Sequence, residues 1–348
     1  MTNARSMARS LIAAAAAAGI GLATASAFAQ SEVDFYKGKT VRLVVGTSTG
    51  GGYDTYARML QPYLEKKLGT TVIVENRPGG SHMVAMNYVY AAAAPDGLTL
   101  MLATGEGATL GTLLAEPGIR FDLTKYPILG RVNTAPRILI LNPKLPYKTI
   151  QDIKASGKTL AMGFAGKTDG ASDTATVLCY ALKIPCKAII GYPSSKEFTL
   201  AAIRGEVDGT VLTEDSAARF MQGGELRAIV VTGREKAPLA PDVPTIFEQV
   251  SLDAEAAWWL DFRDDLRKLG RIIVTTPGVP EARQEFLRGV VKDVVTDPAT
   301  MKLFEEREMP LRYAPPSDIA AIIKNILGGN LSEERVKEIR YVITEKYH

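Results

Sequence analysis

Apolar residues recur along the chain at two spacings, and the alternation between these spacings divides the sequence into elements. Residues 40–45 form a β-branched run that meets a glycine loop; Tyr56, Met59, Leu60, Tyr63, Leu64 and Leu68 then fall at helical spacing, and Gly69 stops the helix. Pro62 lies inside that pattern, where a missing N–H can kink it. Residues 71–75 read as a second strand, Pro78-Gly79-Gly80 as a turn, 83–93 as an Ala-rich helix and 98–103 as a third strand. The order βαβαβ predicts a parallel sheet with right-handed crossovers.

The pattern then returns. Residues 159–164 read as a strand, 165–172 as a glycine-containing loop, 173–182 as a helix and 186–190 as a strand. A helix over 198–204 leads to Gly205, and 207–212 and 226–232 resemble further strands. The two βα loops, 46–52 and 165–172, thus belong to separate α/β units. Open sheets bind ligands outside the carboxyl ends of their strands, so two units facing each other across these loops make a cleft. The last hundred or so residues read as mostly helical, with one apolar face at Phe286, Leu287, Val290, Val291, Val294 and Val295 and another at Ile319, Ile322, Ile323 and Ile326. Residues 333–346 are charged and predict a solvated terminal helix.

Composition adds a compartment. Arg5 and Arg9 give a basic start, 11–24 is Ala-rich and apolar, and Ala27-Phe28-Ala29 is a small-x-small cleavage site. Cleavage after Ala29 is expected, with the mature chain starting at Gln30 in the periplasm. An uncleaved anchor is the rival, but the stretch is only weakly hydrophobic and ends in the cleavage site. The formal charge of +3 loses Arg5 and Arg9 on cleavage, which leaves +1 and no electrostatic case for nucleic acid or a membrane surface. Cys179 and Cys186 are the only cysteines, and in an oxidising compartment they predict a structural disulfide.

Gly46-Thr47-Ser48-Thr49-Gly50 satisfies the Gly-x-Ser-x-Gly pattern of a hydrolase nucleophile elbow. A Ser–His–acid site needs a base, and the only histidines are His82, just after a Pro-Gly-Gly turn, and His348, the last residue. A dinucleotide site fails on spacing, because Gly50-Gly51-Gly52 lacks the third glycine, and the loop does not end in Gly-Lys-Ser/Thr. The loop either is a plain glycine-rich turn or suits an anion, with glycine N–H groups turned inward at a helix N-terminus and Thr47, Ser48 and Thr49 adding hydroxyl donors. Asp54 either touches the ligand or compensates the dipole of the first turn. The second loop repeats the logic, and its Lys167 is either a cation for a carboxylate or a solvated charge. Thr104-Gly105-Glu106-Gly107 offers a third wall, and Trp258-Trp259 either stacks on a ligand or lies in the core.

The succession Gly50-Gly51-Gly52-Tyr53-Asp54 with Ala57-Arg58, Leu68-Gly69, Val72-Ile73-Val74-Glu75-Asn76-Arg77-Pro78-Gly79-Gly80 and Ala94-Pro95-Asp96-Gly97-Leu98-Thr99-Leu100 resembles the tripartite tricarboxylate transporter substrate-binding proteins, the Bug or TctC family. Gly205-Glu206-Val207-Asp208, Gly224-Glu225-Leu226-Arg227-Ala228 and Pro241-Asp242-Val243-Pro244-Thr245 extend the resemblance over nearly the whole mature chain. It implies an α/β fold of the type II periplasmic-binding-protein kind, with 30–131 and 233–348 as one discontinuous domain and 132–232 as the other. It also implies a monomeric solute-binding protein without catalytic residues, metal or cofactor, which presents a mono-, di- or tricarboxylate to membrane permease subunits; service to a sensor and hydrolysis through Ser48 are the alternatives. By position, Thr47, Ser48, Thr49, Gly50 and Gly51, with Asp54 beside them, form one jaw. Gly166, Lys167, Thr168, Asp169, Gly170 and Ala171 form the other, and Thr104 a further wall. The chain departs from the family in the charge of Lys167 and Asp169, in Asp173 where a histidine is expected, and over 249–270.

Overall fold

The computed structural model describes residues 32–348, so the expected leader and its cleavage after Ala29 lie outside the described residues. Among the described residues there are ten strands: β1 (Thr40–Val45), β2 (Thr71–Asn76), β3 (Thr99–Thr104), β4 (Ile128–Asn133), β5 (Arg137–Leu141), β6 (Leu160–Phe164), β7 (Cys186–Ile190), β8 (Gly209–Thr213), β9 (Arg227–Val231) and β10 (Arg271–Thr275). They form two five-stranded sheets, ordered β2-β1-β3-β10-β4 and β7-β6-β8-β5-β9.

Neither sheet is purely parallel. β1 pairs in parallel with β2 and β3, and β6 with β7 and β8, as the βαβ pattern predicts. β10 runs antiparallel between β3 and β4, and β5 antiparallel between β8 and β9. The reading of the last hundred residues as mostly helical passed over β10, and β4 and β5 were also passed over. Strands buried on both faces are continuous apolar runs in either direction, so their direction is set by the path that delivers them.

Alternation along β1 and β3 divides the core. Val41, Leu43, Val45, Leu100 and Leu102 face Tyr56, Leu60 and Leu64 of helix Gly52–Leu68 and Leu287 and Val291 of helix Glu281–Thr296. Val44, Met101 and Ala103 face the opposite way, toward Met86, Val89, Ile319 and Ile323, and this second cluster continues into the core of the second sheet. Helix Gly52–Leu68 passes through Pro62 and ends on Gly69 at φ 66°, with Lys66 and Lys67 in the last turn.

Helix Ala254–Arg267 packs along helix Gly170–Leu182, with the Tyr180 and Trp259 ring centroids 5.0 Å apart. Helix Glu333–Thr344 joins them, and the Ala188 amide donates to the Tyr347 carbonyl at 2.7 Å. These segments therefore pack against a helix of the second sheet, and helix Ala254–Arg267 also touches helix Gly105–Leu113 of the first.

Cys179 and Cys186 are disulfide-bonded and tie the end of helix Gly170–Leu182 to the start of β7. Closing so short a loop restricts the unfolded chain by about 2 kcal/mol. Reduction is expected to lower the free energy of urea unfolding by roughly that amount. An unchanged denaturation midpoint after complete reduction would contradict this.

Candidate functional site

A cavity of about 410 Å³ opens between the two sheets, lined by residues at or just past the carboxyl ends of β1, β3, β6, β7 and β8. The antiparallel strands β5 and β10 bring their amino ends to the same edge, so Arg137 and Arg271 line it too.

The first loop is held from behind. Asp54 accepts from the Gly50 amide at 2.8 Å, from Arg58 Nε at 3.0 Å and from Asn76 Nδ2 at 2.9 Å, and Asn76 Nδ2 also donates to the Thr47 carbonyl at 2.9 Å. Burial alone would raise the Asp54 pKa, but these hydrogen bonds outweigh it and hold the carboxyl below its ordinary range. Asp54 is thus the brace of the loop and does not line the cavity.

Of the residues expected to touch a ligand, Thr47, Thr104, Asp169, Gly170 and Ala171 line the cavity. Thr104 caps helix Gly105–Leu113 through the Gly107 amide, and Asp169 caps helix Gly170–Leu182 through the Ala171 amide while also accepting from Ala165 at 3.2 Å. Burial raises the Asp169 pKa against the pull of Arg137 and these amides. Ser48, Thr49, Gly50, Gly51, Gly166, Lys167 and Thr168 lie outside the lining. Ser48 Oγ donates to Glu197 at 3.3 Å, Thr49 Oγ1 to Asn76 at 3.4 Å, and Thr168 Oγ1 to Glu116. The Gly50 amide is taken by Asp54, Gly51 abuts Ser194, Gly166 abuts Ser81, and Lys167 lies near His348, whose pKa is lowered first by burial and then by that ammonium. Ser48 faces a carboxylate rather than a histidine, which is not the arrangement of an activated nucleophile. Trp259 is fully buried, Trp258 stacks on Phe262 with ring centroids 5.2 Å from Trp259 and 5.4 Å from Phe262, and neither reaches the cavity.

A buried ionic chain runs inward from the lining, from Arg137 and Glu106 to Arg263 and Asp173. Glu106 accepts from Arg137 Nη2 at 2.9 Å and from Arg263 Nη2 at 2.6 Å, and Arg263 also donates to Asp173 at 2.5 Å and to the Gly170 carbonyl at 2.9 Å. Burial would raise the Glu106 pKa, but the two guanidiniums hold it down at about 2. Burial pushes Asp173 up to about 6 in spite of Arg263. His82 is lowered to about 4, first by burial and then by Arg271, so it is neutral at neutral pH.

Five buried polar atoms on cavity-lining residues lack a hydrogen-bond partner among the described residues: Thr47 Oγ1, Ser81 Oγ, His82 Nδ1, Arg137 Nε and Arg271 Nε. An unpaired buried polar group costs about 1–3 kcal/mol, so their gathering at one cavity points to an incoming partner. The guanidinium nitrogens can only donate and the hydroxyls can donate, which suits an anion. Arg137, Arg271 and Arg263 were not among the expected site residues. Arg263 carried a signal: it repeats in phase with the buried Ala256, Trp259, Leu260 and Leu266 of its helix.

The profile of the tripartite tricarboxylate transporter family receptors, TctC, matches residues 56–327. A UPF0065 protein of Bordetella pertussis is 27% identical over 317 residues, covering 90% of this chain and 93% of that protein. The periplasmic binding protein BugD superposes with a TM-score of 0.72 at 21% identity, over 88% of this chain and 98% of BugD. MatC from Rhodopseudomonas palustris, solved with bound malate, gives 0.70 at 20% identity, over 88% of this chain and all (100%) of that chain. The fold is that of the type II periplasmic binding proteins. The chain belongs to the tripartite tricarboxylate transporter receptor family, whose members are solute-binding proteins and not enzymes.

Proposed function

We propose that the chain is exported, is cleaved after Ala29, and captures a small organic carboxylate in the cavity for delivery to the membrane permease subunits of a tripartite tricarboxylate-type transporter. The observation that carries the reading is the convergence of two helix N-termini, buried arginine donors and unpartnered hydroxyls on one cavity. The malate held by MatC supports the carboxylate class.

Two units closing by a hinge fit this role, divided near 131 and 233. The chain passes from β4 to β5 through 134–136, and returns to the first sheet at β10. Ser48–Glu197, the Gly52 amide to Ser195 Oγ at 3.4 Å, and Arg271–Asp215 at 3.3 Å join residues on the two sides. Such contacts favour the closed arrangement, and a ligand touching both sides adds to them.

A ligand that binds only the folded state raises its stability by about 2.7 kcal/mol at a hundredfold excess over Kd. Thermal unfolding against a panel of organic acids, with sugars and amines as controls, is therefore expected to show a rise of several degrees for carboxylates alone. A rise confined to another chemical class, or a carboxylate shift that persists unchanged in Arg271→Gln, would count against the site.

A further inference from the structure

Each of the two long helices that open on the cavity begins with a glycine, and beside each glycine lies a guanidinium. A Cβ on Gly52, at the start of the first helix, would stand 3.4 Å from Arg271 Nη2, and one on Gly170 would overlap Arg137 Nη2. At Gly170 a side chain would intrude on the space the arginine occupies, whereas at Gly52 it would come into van der Waals contact with it. Each guanidinium is also held by its own protein partners. Arg271, 5% exposed, donates through Nη1 to Asn133 at 2.7 Å and through Nη2 to Thr213 at 3.4 Å and Asp215 at 3.3 Å, with the Tyr56 ring centroid 4.4 Å from its Cζ. Arg137 Nη2 is fixed by Glu106. In both, Nε is buried and has no partner among the described residues.

The carboxylates in the lining are already engaged within the protein. Glu106 is shared between Arg137 and Arg263, and Asp169 accepts the amides of Ala165 and Ala171. Neither is left as a free counterpart for a cationic ligand group. The cavity thus has two similar poles, each combining a helix N-terminus with a rigid guanidinium whose Nε–H has no partner among the described residues.

We infer that the solute carries two ionised acidic groups, one at the Gly52–Arg271 pole and one at the Gly170–Arg137 pole, and that Arg271 and Arg137 set this specificity; the inference rests on the carboxylate reading of the cavity. An amide in place of one carboxylate keeps the shape but removes the charge that the guanidinium complements.

The test is calorimetric titration of the purified protein with succinate, glutarate and adipate, each paired with its own mono-amide. For at least one chain length the di-acid is expected to bind about tenfold to a hundredfold more tightly than its mono-amide. Arg271→Gln and Arg137→Gln are each expected to lower the affinity for that di-acid about tenfold more than the affinity for the mono-amide. Di-acid and mono-amide binding equally to the wild-type protein would overturn the inference and leave the carboxylate reading intact. No binding of any of the six acids, or of monocarboxylates run alongside, would overturn both. Arg271→Lys, which keeps the charge and loses the planar donors, is measured in parallel with thermal unfolding of each variant. If neither Arg271 variant folds, the wild-type ratio and Arg137→Gln decide the matter by the same criteria.

Discussion

Arg263→Ala is expected to cost about 3–5 kcal/mol of folding stability and to weaken solute binding with it. The side chain is 3% exposed and is the shared donor to Glu106, Asp173 and the Gly170 carbonyl. Removing it leaves Asp173 buried without its ion-pair partner and leaves Glu106 with Arg137 alone. Arg137 is then drawn more strongly toward Glu106, and the start of helix Gly170–Leu182 loses the donor that holds its first carbonyl. The loss should depend on pH. In the wild-type protein Glu106 has a lowered pKa, so its contribution is present above its ordinary value of 4.5 and is lost only as pH falls toward about 2. Asp173 has the opposite sign: its raised pKa makes its ionisation unfavourable to folding as pH climbs from 3.8 to about 6. Without Arg263 both carboxyls shift upward, so acid relieves the variant by protonating them. Urea unfolding of both proteins at neutral pH and in the acid range checks this: the difference between them should shrink toward acid. A difference that grows on acidification, or one under about 1 kcal/mol at neutral pH, would remove the buried ionic chain from the account.

Gly270→Ala is expected to be comparably damaging. Gly270 has φ +57°, where an L side chain costs about 1–2 kcal/mol. The new Cβ would also overlap the Asn133 carbonyl oxygen and stand 3.1 Å from Thr134 Cα, both backbone atoms that cannot step aside as a side chain can. The Gly270 carbonyl accepts from the Gly105 amide at 3.0 Å, and Arg271, the next residue, leans on the Asn133 side chain. The substitution therefore forces apart β10 and the end of β4 where Arg271 is aimed. A loss of at least about 3 kcal/mol is expected, with solute affinity falling in whatever fraction remains folded. Chemical denaturation measures the first and titration the second; a variant unchanged in both would show that the close approach is easily relieved.

Much of the framework was legible along the chain. The β-branched run at Thr40–Val45, the glycine loop and the helix stopped by Gly69 lie where periodicity and stop signals put them. The second βα unit at β6 and helix Gly170–Leu182 was equally plain, although the helix starts three residues before the expected 173 because Asp169 caps it. The Cys179–Cys186 pairing followed from compartment and count. The candidate site was legible only in part. Thr47, Thr104, Asp169, Gly170 and Ala171 lie at strand ends and helix starts, where local pattern suffices to place them. Ser48 and Asp54 share the same loop, but their side chains bind Glu197, Arg58 and Asn76, which is a matter of side-chain direction rather than sequence spacing.

By itself, the sequence determined two α/β units with glycine-opened helices and their family, because these depend on short-range periodicity and on backbone freedom over a few residues. Tertiary structure alone decided that β5 and β10 run antiparallel, and with that direction it brought Arg137 and Arg271 to one cavity and placed Arg263 behind it. An arginine at the head of an apolar strand reads as a solvated end until its neighbours are known. Its burial, its partners and the nitrogen it leaves unpaired come from segments far apart in the chain, and only their packing supplies the low-dielectric setting in which those charges matter.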